Sequence, residues 1–293
     1  MLDYEYLKIT DKEWVDELLS YSQFKNCDYC FGNIFLWGDI YSYRAARYKD
    51  FLILKSDNEK YTHFSFPAGR GDLKEVIDLF IDTAHSEKKP LLVSALTEER
   101  AEVFNDLYGD NFEVRANRDY SDYIYLRDNL ANLPGKKYHS KRNHISYFEK
   151  NNDWQFEPID NANISDCADM LDKWLSLSEK GDDLSDEKRC ILNAFEHYEE
   201  LGLDGGLIRT QDGVVAFTMG ERLNDNTFCT HFEKAYSSIR GAYPIINREF
   251  ARYLSDYKYI NREEDLGDEG LRKSKLTYHP DILLNKYSAF FNI

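Results

Sequence analysis

Arg240, Gly241 and Ala242 stand just before a predicted helix and have the chemistry to bind a phosphate or a developing oxyanion. A guanidinium donates two parallel hydrogen bonds to oxygens, and glycine lets the backbone approach a ligand closely. Pro244 suits the first turn of the helix, where unpaired amides and the positive end of the helix dipole attract anions. The pattern predicts that these residues hold the phosphates of a carrier molecule. A plain turn into the helix is the alternative interpretation.

Other residues supply the groups that acyl transfer to an amine requires, namely a base for the proton and a donor for the oxyanion. Glu233, at the end of a predicted strand, is the candidate base, and an ion pair with Lys234 or Arg240 is the alternative. Tyr278 and His279 follow a short predicted helix and are candidates for an acid or a proton relay. In the alternative interpretation Tyr278 packs and His279 caps the helix.

A basic segment at residues 135–144, with the sequence GKKYHSKRNH, contrasts with the rest of the chain. The 293 residues carry 37 basic and 53 acidic side chains, which gives a formal net charge of −16. In a helix that starts near residue 136, Lys137, Lys141 and His144 share one face. We predict that Lys137, Lys141 and Arg142 bind an anionic donor, and a face that only contacts water is the alternative.

Two carboxylates, Asp265 and Glu269, lie at the predicted start of a short helix and have the charge to attract a substrate amine. Acids at a helix start also suit the helix dipole, and bases one turn later suit i,i+3 and i,i+4 ion pairs. A structural role for both carboxylates is therefore the alternative interpretation.

The charge and hydropathy of the chain limit the class of partner. A net charge of −16 repels polyanions, so we expect no strong unspecific binding to nucleic acid or to an anionic membrane. No apolar run approaches the roughly 20 residues that cross a bilayer, and the N-terminal residues are too polar for a secretory signal. We therefore expect a cytoplasmic protein without stable membrane insertion.

The five cysteines predict neither a disulfide framework nor a metal site. Cys27 and Cys30 are two residues apart, but no second pair or histidine doublet stands at the distance typical of zinc sites. A large intracellular protein normally keeps such thiols reduced. We expect buried core cysteines, no metal ion and no tightly bound cofactor.

Hydrophobic periodicity predicts a mixed α and β chain. In the first half it predicts helical structure over residues 11–37, strands between 40 and 67, helices at 72–86 and 98–108, and a strand at 91–95. In the second half it predicts strand 154–158, helices 164–179 and 186–201, strands 206–210, 214–223 and 227–234, helix 244–254, strand 257–261, helix 268–276 and strand 286–291.

The length of the chain and its 42% hydrophobic content suit two packed domains. Residues 128–135, DNLANLPG, have the composition of a linker and lead into the basic helix. We therefore predict an N-terminal domain at 1–130 and a C-terminal domain at 131–293. The similar order of elements in the two halves indicates that both domains share one fold.

Three segments resemble a bacterial family of unknown function, DUF2156, whose relatives include the C-terminal domain of phosphatidylglycerol lysyltransferase. They are LPGKKYHSKRNHISYFEK (133–150), HFEKAYSSIRGAYPIINREF (231–250) and EEDLGDEGLRKSKLTYHP (263–280). The resemblance implies an α/β (α+β) chain of two tandem acyl-CoA N-acyltransferase (GNAT-like) domains, with mixed, mostly antiparallel sheets flanked by helices. It also implies a relationship to the FemABX-type peptidoglycan-bridge transferases, which use aminoacyl-tRNA.

These observations predict a transferase that moves an acyl or aminoacyl group from acyl-CoA or aminoacyl-tRNA to an amine or hydroxyl acceptor. The expected acceptor is a small molecule or a lipid head group, and tRNA is a candidate partner. The alternative is a catalytically silent binding module of the same fold that recognises an aminoacylated or peptide ligand.

Overall fold

The computed structural model describes residues 2–177 and 185–291. The chain forms two compact units. The first unit consists of Met1–Tyr123, Glu263–Arg272 and Leu283–Ile293, and the second of Ile124–Arg262 and Lys273–Ile282. The predicted division after residue 130 differs from these units in two respects. The first boundary falls after Tyr123, and two C-terminal segments belong to the first unit.

Helices and strands alternate in a mixed order along the chain. Up to residue 126 they are α1 (Lys12–Ser20), α2 (Phe31–Tyr41), β1 (Tyr43–Tyr48), β2 (Phe51–Ser56), β3 (Thr62–Ser65), β4 (Ala68–Gly69), α3 (Leu73–Glu87), β5 (Leu91–Leu96), α4 (Glu98–Tyr108) and β6 (Glu113–Leu126). They continue with α5 (Arg127–Asn132), α6 (His139–Asn151), β7 (Trp154–Pro158), α7 (Ile164–Ser176), α8 (Ser185–Glu196), β8 (Asp204–Thr210), β9 (Gly213–Asn224), β10 (Thr227–Ala235), α9 (Ala242–Tyr253), β11 (Tyr259–Asn261), α10 (Glu269–Leu276) and β12 (Ile282–Phe291). Within the described ranges, none of these helices combines the length and the apolar character needed to span a bilayer.

The sheet of the first unit has the strand order β1-β2-β3-β5-β12, with β4 paired to β2. These neighbours are antiparallel except for β3 and β5, which are parallel. A parallel neighbour requires a crossover connection, which α3 provides. Because β12 pairs with β5, the last strand of the chain completes the sheet of the first unit, and a division of the sequence at one residue does not describe it.

α3 covers this sheet with the apolar face that its periodicity predicts. Asp72 caps the helix by accepting a hydrogen bond from the Glu75 amide. Phe80 is fully buried and stacks on Phe64 of β3, with ring centroids 4.0 Å apart. Burying one such side chain contributes about 1.5–3 kcal/mol, so the face of α3 is a main source of stability for this unit.

The second unit has a sheet of similar topology. The last three residues of β6 pair with β11, and the order continues as β11-β10-β9-β8-β7. β10 and β11 are parallel, and the other neighbours are antiparallel. Here α9 is the crossover. Each unit therefore contains an antiparallel meander, a crossover helix and a parallel strand, in that order.

Most predicted elements are confirmed to within a few residues, including every strand from β7 to β12. Residues 178–179 of the predicted helix 164–179 lie outside the described residues. The helical patterning predicted over 11–37 corresponds to two helices, α1 and α2, because α1 ends at Ser20 and Gln23 adopts a left-handed φ of 49°. Periodicity also misses β6, because its first eight residues are mostly exposed and polar.

Candidate functional site

The site in the second unit lies where two parallel strands separate. Thr227–Cys229 of β10 pairs with Tyr259–Asn261 of β11. β10 continues beyond this point, whereas the chain leaves β11 after Asn261. Glu233 and Arg262 therefore lie just past the paired region. The meander strand β10 carries the first side chain, and the crossover through α9 brings the second beside it.

An ion pair joins these two side chains. Arg262 Nη2 lies 2.8 Å from Glu233 Oε1, and the side chains are only 11% and 14% exposed. Asn247 of α9 donates from Nδ2 to Glu233 Oε2 over 3.4 Å. Two donors from two different elements thus hold the carboxylate of the candidate base.

In the alternative interpretation Glu233 forms an ion pair with Lys234 or Arg240. The structure corrects this, because both side chains have other partners. Lys234 pairs with Glu187, with Nζ 2.7 Å from Oε1. Arg240 lies beside His144, with Nε 3.4 Å from Nδ1. Successive side chains of a strand point to opposite faces, so Lys234 faces away from Glu233.

Two buried polar atoms of this cluster lack a hydrogen-bond partner among the described residues. They are Nη1 of Arg262, which is a donor, and Oδ1 of Asn247, which is an acceptor. A buried polar group without a partner costs about 1–3 kcal/mol, so such groups are rare in folded proteins. Both side chains also hold Glu233, and the cluster therefore has capacity for a ligand group that accepts and donates hydrogen bonds.

Two tyrosine rings contact Arg262. Its guanidinium carbon lies 5.0 Å from the ring centroid of Tyr278 and 5.8 Å from that of Tyr125, within the range of cation–π contacts. Burial raises the pKa of Tyr278 above its ordinary value, although the charge of Arg262 opposes the shift. The phenol of Tyr278 is therefore neutral at neutral pH. Its ring packs, as the alternative interpretation predicts, and its role as an acid stays a prediction.

Lys141 of α6 completes the cluster. Its Nζ lies 3.8 Å from the centroid of the same Tyr278 ring. Burial, followed by the charge of Arg262, lowers the pKa of Lys141 to about 8, while Glu233 acts in the opposite direction. Two basic side chains and one carboxylate thus meet around Tyr278.

The helix start at Gly241 is closed. A Cβ on Gly241 would lie 2.4 Å from the carbonyl oxygen of His144 and 2.8 Å from the Cβ of Phe148. Ala242 is 1% exposed, and its amide donates to the Ile239 carbonyl oxygen over 3.1 Å. The Ala242 amide is therefore already bonded, whereas phosphate binding by the Gly241 amide stays a prediction. Glycine stands here because its φ is 95° and because α6 packs directly against it.

The predicted anion-binding cations differ in their surroundings. Arg240 is exposed, and its guanidinium carbon lies 4.5 Å from the ring centroid of Tyr147. Lys137 is also exposed. Arg142 instead donates to two backbone carbonyls within residues 133–135 and holds the turn that precedes α6. Arg142 therefore has a structural role through Nη1, and donor binding by Arg240, Lys137, Lys141 and Arg142 stays a prediction.

His279 lies at the end of α10 and is exposed. Its amide donates to the Leu276 carbonyl oxygen over 2.9 Å, and its φ is 53°. Its Nε2 lies 3.3 Å from the Lys137 carbonyl oxygen. This geometry is that of a residue that ends a helix, as the alternative interpretation predicts. A proton-relay role of His279 stays a prediction.

The two predicted amine-binding carboxylates belong to the first unit. Asp265 is fully buried and accepts hydrogen bonds from Arg272 at 2.6 and 2.9 Å and from Tyr123 Oη at 2.5 Å. Burial alone raises the pKa of Asp265, but these hydrogen bonds outweigh it and hold that pKa well below its ordinary value. Asp265 therefore has the structural role of the alternative interpretation. Glu269 is exposed, and its substrate role stays a prediction.

A second buried charge cluster lies in the first unit. Lys286 Nζ lies 2.7, 2.8 and 2.9 Å from carboxylate oxygens of Asp28, Asp122 and Glu264. Cys27, Asp28 and Asp122 have ligand atoms close enough to hold a metal ion, but the Lys286 ammonium already contacts all three, and it donates to Cys27 Sγ over 3.3 Å. Burial raises the pKa of Asp122 to about 7, although the charge of Lys286 opposes the shift.

Sequence reasoning missed three residues of the site, namely Arg262, Asn247 and Tyr125. Arg262 is distant in sequence from Glu233, and only the pairing of β10 with β11 brings them together. Asn247 carries a signal in the sequence, because it is a polar residue that directly follows the apolar run Pro244–Ile246. In the structure it is only 5% exposed. A buried polar residue in an apolar stretch indicates a site more strongly than an exposed one.

Residues 20–290 match the family model described as phosphatidylglycerol lysyltransferase, C-terminal. The crystal structure of a conserved protein of unknown function from Bacteroides thetaiotaomicron is 37% identical, with a TM-score of 0.94 over 99% of this chain and 100% of that chain. The structure of L-PGS from Bacillus licheniformis is 18% identical, with a TM-score of 0.69 over 98% of this chain and 93% of that one. An uncharacterized protein of Mycoplasmoides gallisepticum is 26% identical over 180 residues, and this match covers about half of it, 55%, and 57% of this chain.

The fold is that of the tandem GNAT-like acyltransferases, as the sequence resemblance predicts. The chain belongs to the phosphatidylglycerol lysyltransferase C-terminal family, because the family model covers most of its length.

Proposed function

We propose that this protein is an aminoacyltransferase, which moves an aminoacyl group from a carrier ester to a hydroxyl or amine acceptor. Membership of a family named for lysyl transfer supports the reaction class. The second unit supplies the site, with Glu233, Arg262 and Asn247 at its centre.

The observation that carries this proposal is the pair of unsatisfied atoms beside Glu233. An aminoacyl ester offers a carbonyl oxygen, which accepts hydrogen bonds, and an α-ammonium group, which donates them. Arg262 Nη1 is a donor without a partner and Asn247 Oδ1 an acceptor without a partner among the described residues. The Glu233 carboxylate between their side chains adds the negative charge that an ammonium group prefers. A plain acyl group would satisfy only the donor.

The closed helix start favours an aminoacyl-tRNA donor over acyl-CoA. Acyltransferases of this fold that use coenzyme A seat its phosphates at the loop and helix start that follow the third meander strand. In this chain the corresponding Gly241 packs against α6, and the Ala242 amide is already bonded. The acceptor is proposed to be a small molecule or a lipid head group.

The test is an assay of label transfer with the purified chain. A panel of aminoacyl-tRNAs and acyl-CoAs serves as donors, and phosphatidylglycerol vesicles, amino acids and polyamines serve as acceptors. We expect transfer with at least one aminoacyl-tRNA and none with acyl-CoA. Arg262→Lys should reduce kcat by about 10²–10³-fold, because it removes the planar guanidinium that would donate to the ester carbonyl oxygen.

Arg248→Lys is the matched control, because Arg248 is similarly buried, at 14% exposed, and pairs with Glu149 at 2.6 Å. Its rate should stay near that of the wild type. Binding of aminoacyl-tRNA without turnover would identify the binding module instead. Transfer that is equally fast in both arginine variants would rule out this site.

A further inference from the structure

We propose that Lys141 is the proton acceptor of the transfer step, acting as a neutral amine, while Glu233 and Arg262 position the aminoacyl group. This inference rests on the proposed function.

The first argument is the place of Lys141 in the cluster. Its Nζ contacts the face of Tyr278 at 3.8 Å from the centroid, and Arg262 contacts the same ring at 5.0 Å. Lys141 of α6 and Arg262 of the ion pair therefore contact the same aromatic ring. Within the described residues it makes neither a hydrogen bond nor an ion pair of its own.

Lys234 shows how a lysine beside an aromatic ring is usually paired. Its Nζ lies 4.4 Å from the centroid of the Trp174 ring, and it also pairs with Glu187 at 2.7 Å. Lys141 also contacts an aromatic ring, but it forms no ion pair with a carboxylate of the described residues. The carboxylate whose charge favours the ammonium form of Lys141 is that of Glu233, and it is already held by Arg262 and Asn247.

The charged and titratable groups that face Lys141 are Arg262, Glu233 and Tyr278. Burial disfavours the ammonium form of Lys141 and the charge of Arg262 adds to this effect, while Glu233 opposes it, so that the pKa of Lys141 falls to about 8. Roughly a quarter of the molecules then carry a neutral Lys141 at pH 7.5. A base with a pKa near the working pH is the most effective kind for proton transfer.

The step balances with one proton carried by Lys141. The oxygen or nitrogen of the acceptor attacks the ester carbonyl carbon, and its proton moves to the neutral Nζ of Lys141. The bond between the carbonyl carbon and the carrier oxygen then breaks. The Lys141 ammonium returns the proton to that oxygen, so that the products are the aminoacylated acceptor and the carrier alcohol.

Rate measurements over pH 6.5–9.5 test this role. Wild-type kcat/KM should rise through pH 8 as Lys141 loses its proton. Lys141→Ala should lower the rate by about 10²–10⁴-fold and abolish this rise. Added methylamine or ethylamine should restore part of the rate to Lys141→Ala.

Lys141→Arg decides between a base and a simple cation. It keeps the positive charge and the cation–π contact, but arginine does not deprotonate in this pH range. A base role predicts that Lys141→Arg is as slow as Lys141→Ala, whereas near-normal activity would overturn the inference. Lys150→Ala, an exposed position at the end of the same helix, is the control and should keep the wild-type rate.

A second readout does not depend on turnover. Competitive labelling of the wild-type protein with acetic anhydride, followed by mass spectrometry, should give half-maximal reactivity of Lys141 near pH 8, below the ordinary lysine value of about 10.4. If the wild type transfers the aminoacyl group but the labelling of Lys141 is half-maximal near the ordinary lysine pKa, the inference is overturned and the proposed function remains intact. Absence of transfer from every donor would overturn both.

Discussion

Arg262 and Glu233 meet through a contact of 2.8 Å at the point where the parallel strands β10 and β11 stop pairing. In a sheet of this topology the separation of two parallel strands leaves backbone groups unpaired and makes room for a ligand. Here the two charged side chains enter that space, and Nη1 of Arg262 has no hydrogen-bond partner among the described residues. The same ion pair therefore stabilises the second unit and forms the centre of the proposed site.

Removal of one partner of this ion pair should destabilise the protein. Arg262→Met or Glu233→Gln alone leaves a buried group without its partner and should lower the free energy of unfolding by about 3–5 kcal/mol. The double variant should lose less than the sum, with a coupling of about 1–3 kcal/mol. Urea unfolding of the four proteins measures the cycle. Strictly additive losses would show that the two side chains do not interact in solution.

Gly241 should tolerate no side chain. Gly241→Ala introduces a Cβ that would lie 2.4 Å from the His144 carbonyl oxygen, so it should cost about 1–3 kcal/mol beyond the strain of its positive φ. Gly213→Ala is the control, because Gly213 has a φ of 105° and no atom within 4 Å of its Cβ position. Thermal unfolding compares the two. Equal losses would mean that α6 does not pack against Gly241 as described.

The two predicted amine-binding carboxylates should behave differently. Asp265→Asn weakens charge-assisted hydrogen bonds to Arg272, worth about 1.5–3 kcal/mol each, and should lower unfolding stability markedly. Glu269→Gln changes an exposed residue and should stay within about 0.5 kcal/mol of the wild type. Denaturant midpoints measure both changes. A stable Asp265→Asn variant with a raised KM for an amine acceptor would restore the substrate role of Asp265.

Asp122 should make stability depend on pH. Its pKa is raised from 3.8 to about 7, so the folded state binds its proton more tightly than the unfolded state does. The resulting stabilisation is complete below the unfolded pKa and is lost as pH rises towards 7, by up to about 1.4 kcal/mol per pH unit.

Asp122→Asn lacks this proton, so its stability relative to the wild type should improve from pH 4.5 to 7. Asp78→Asn is the control, because Lys74 holds the pKa of Asp78 below its ordinary value and the carboxylate is ionised throughout this range. Unfolding free energies at four or five pH values decide the question. A constant difference between Asp122→Asn and the wild type would contradict the expected proton uptake.

The sequence predicts the secondary structure well where a helix or strand carries one continuous apolar face. The helix at 72–86 and the meander of β8, β9 and β10 have such faces, and their predicted bounds agree closely with the structure. β6 lacks this pattern, because its first eight residues are mostly exposed and polar. Hydrophobic periodicity reflects which side chains are buried, so it cannot predict a strand whose side chains remain exposed to water.

By itself, the sequence indicated the family and the mixed α and β class, and it proposed Glu233 as a base and Lys141 as an anion-binding cation. Composition, periodicity and short segments are local properties, and they are readable without knowing which residues meet. Only the tertiary structure decided that Arg262 is the partner of Glu233, that Gly241 is closed by α6 and that Asp265 is fully bonded. Each of these facts depends on contacts between residues far apart in the chain. Such contacts arise when strands pair and helices cross the sheet, and no short segment of sequence contains them.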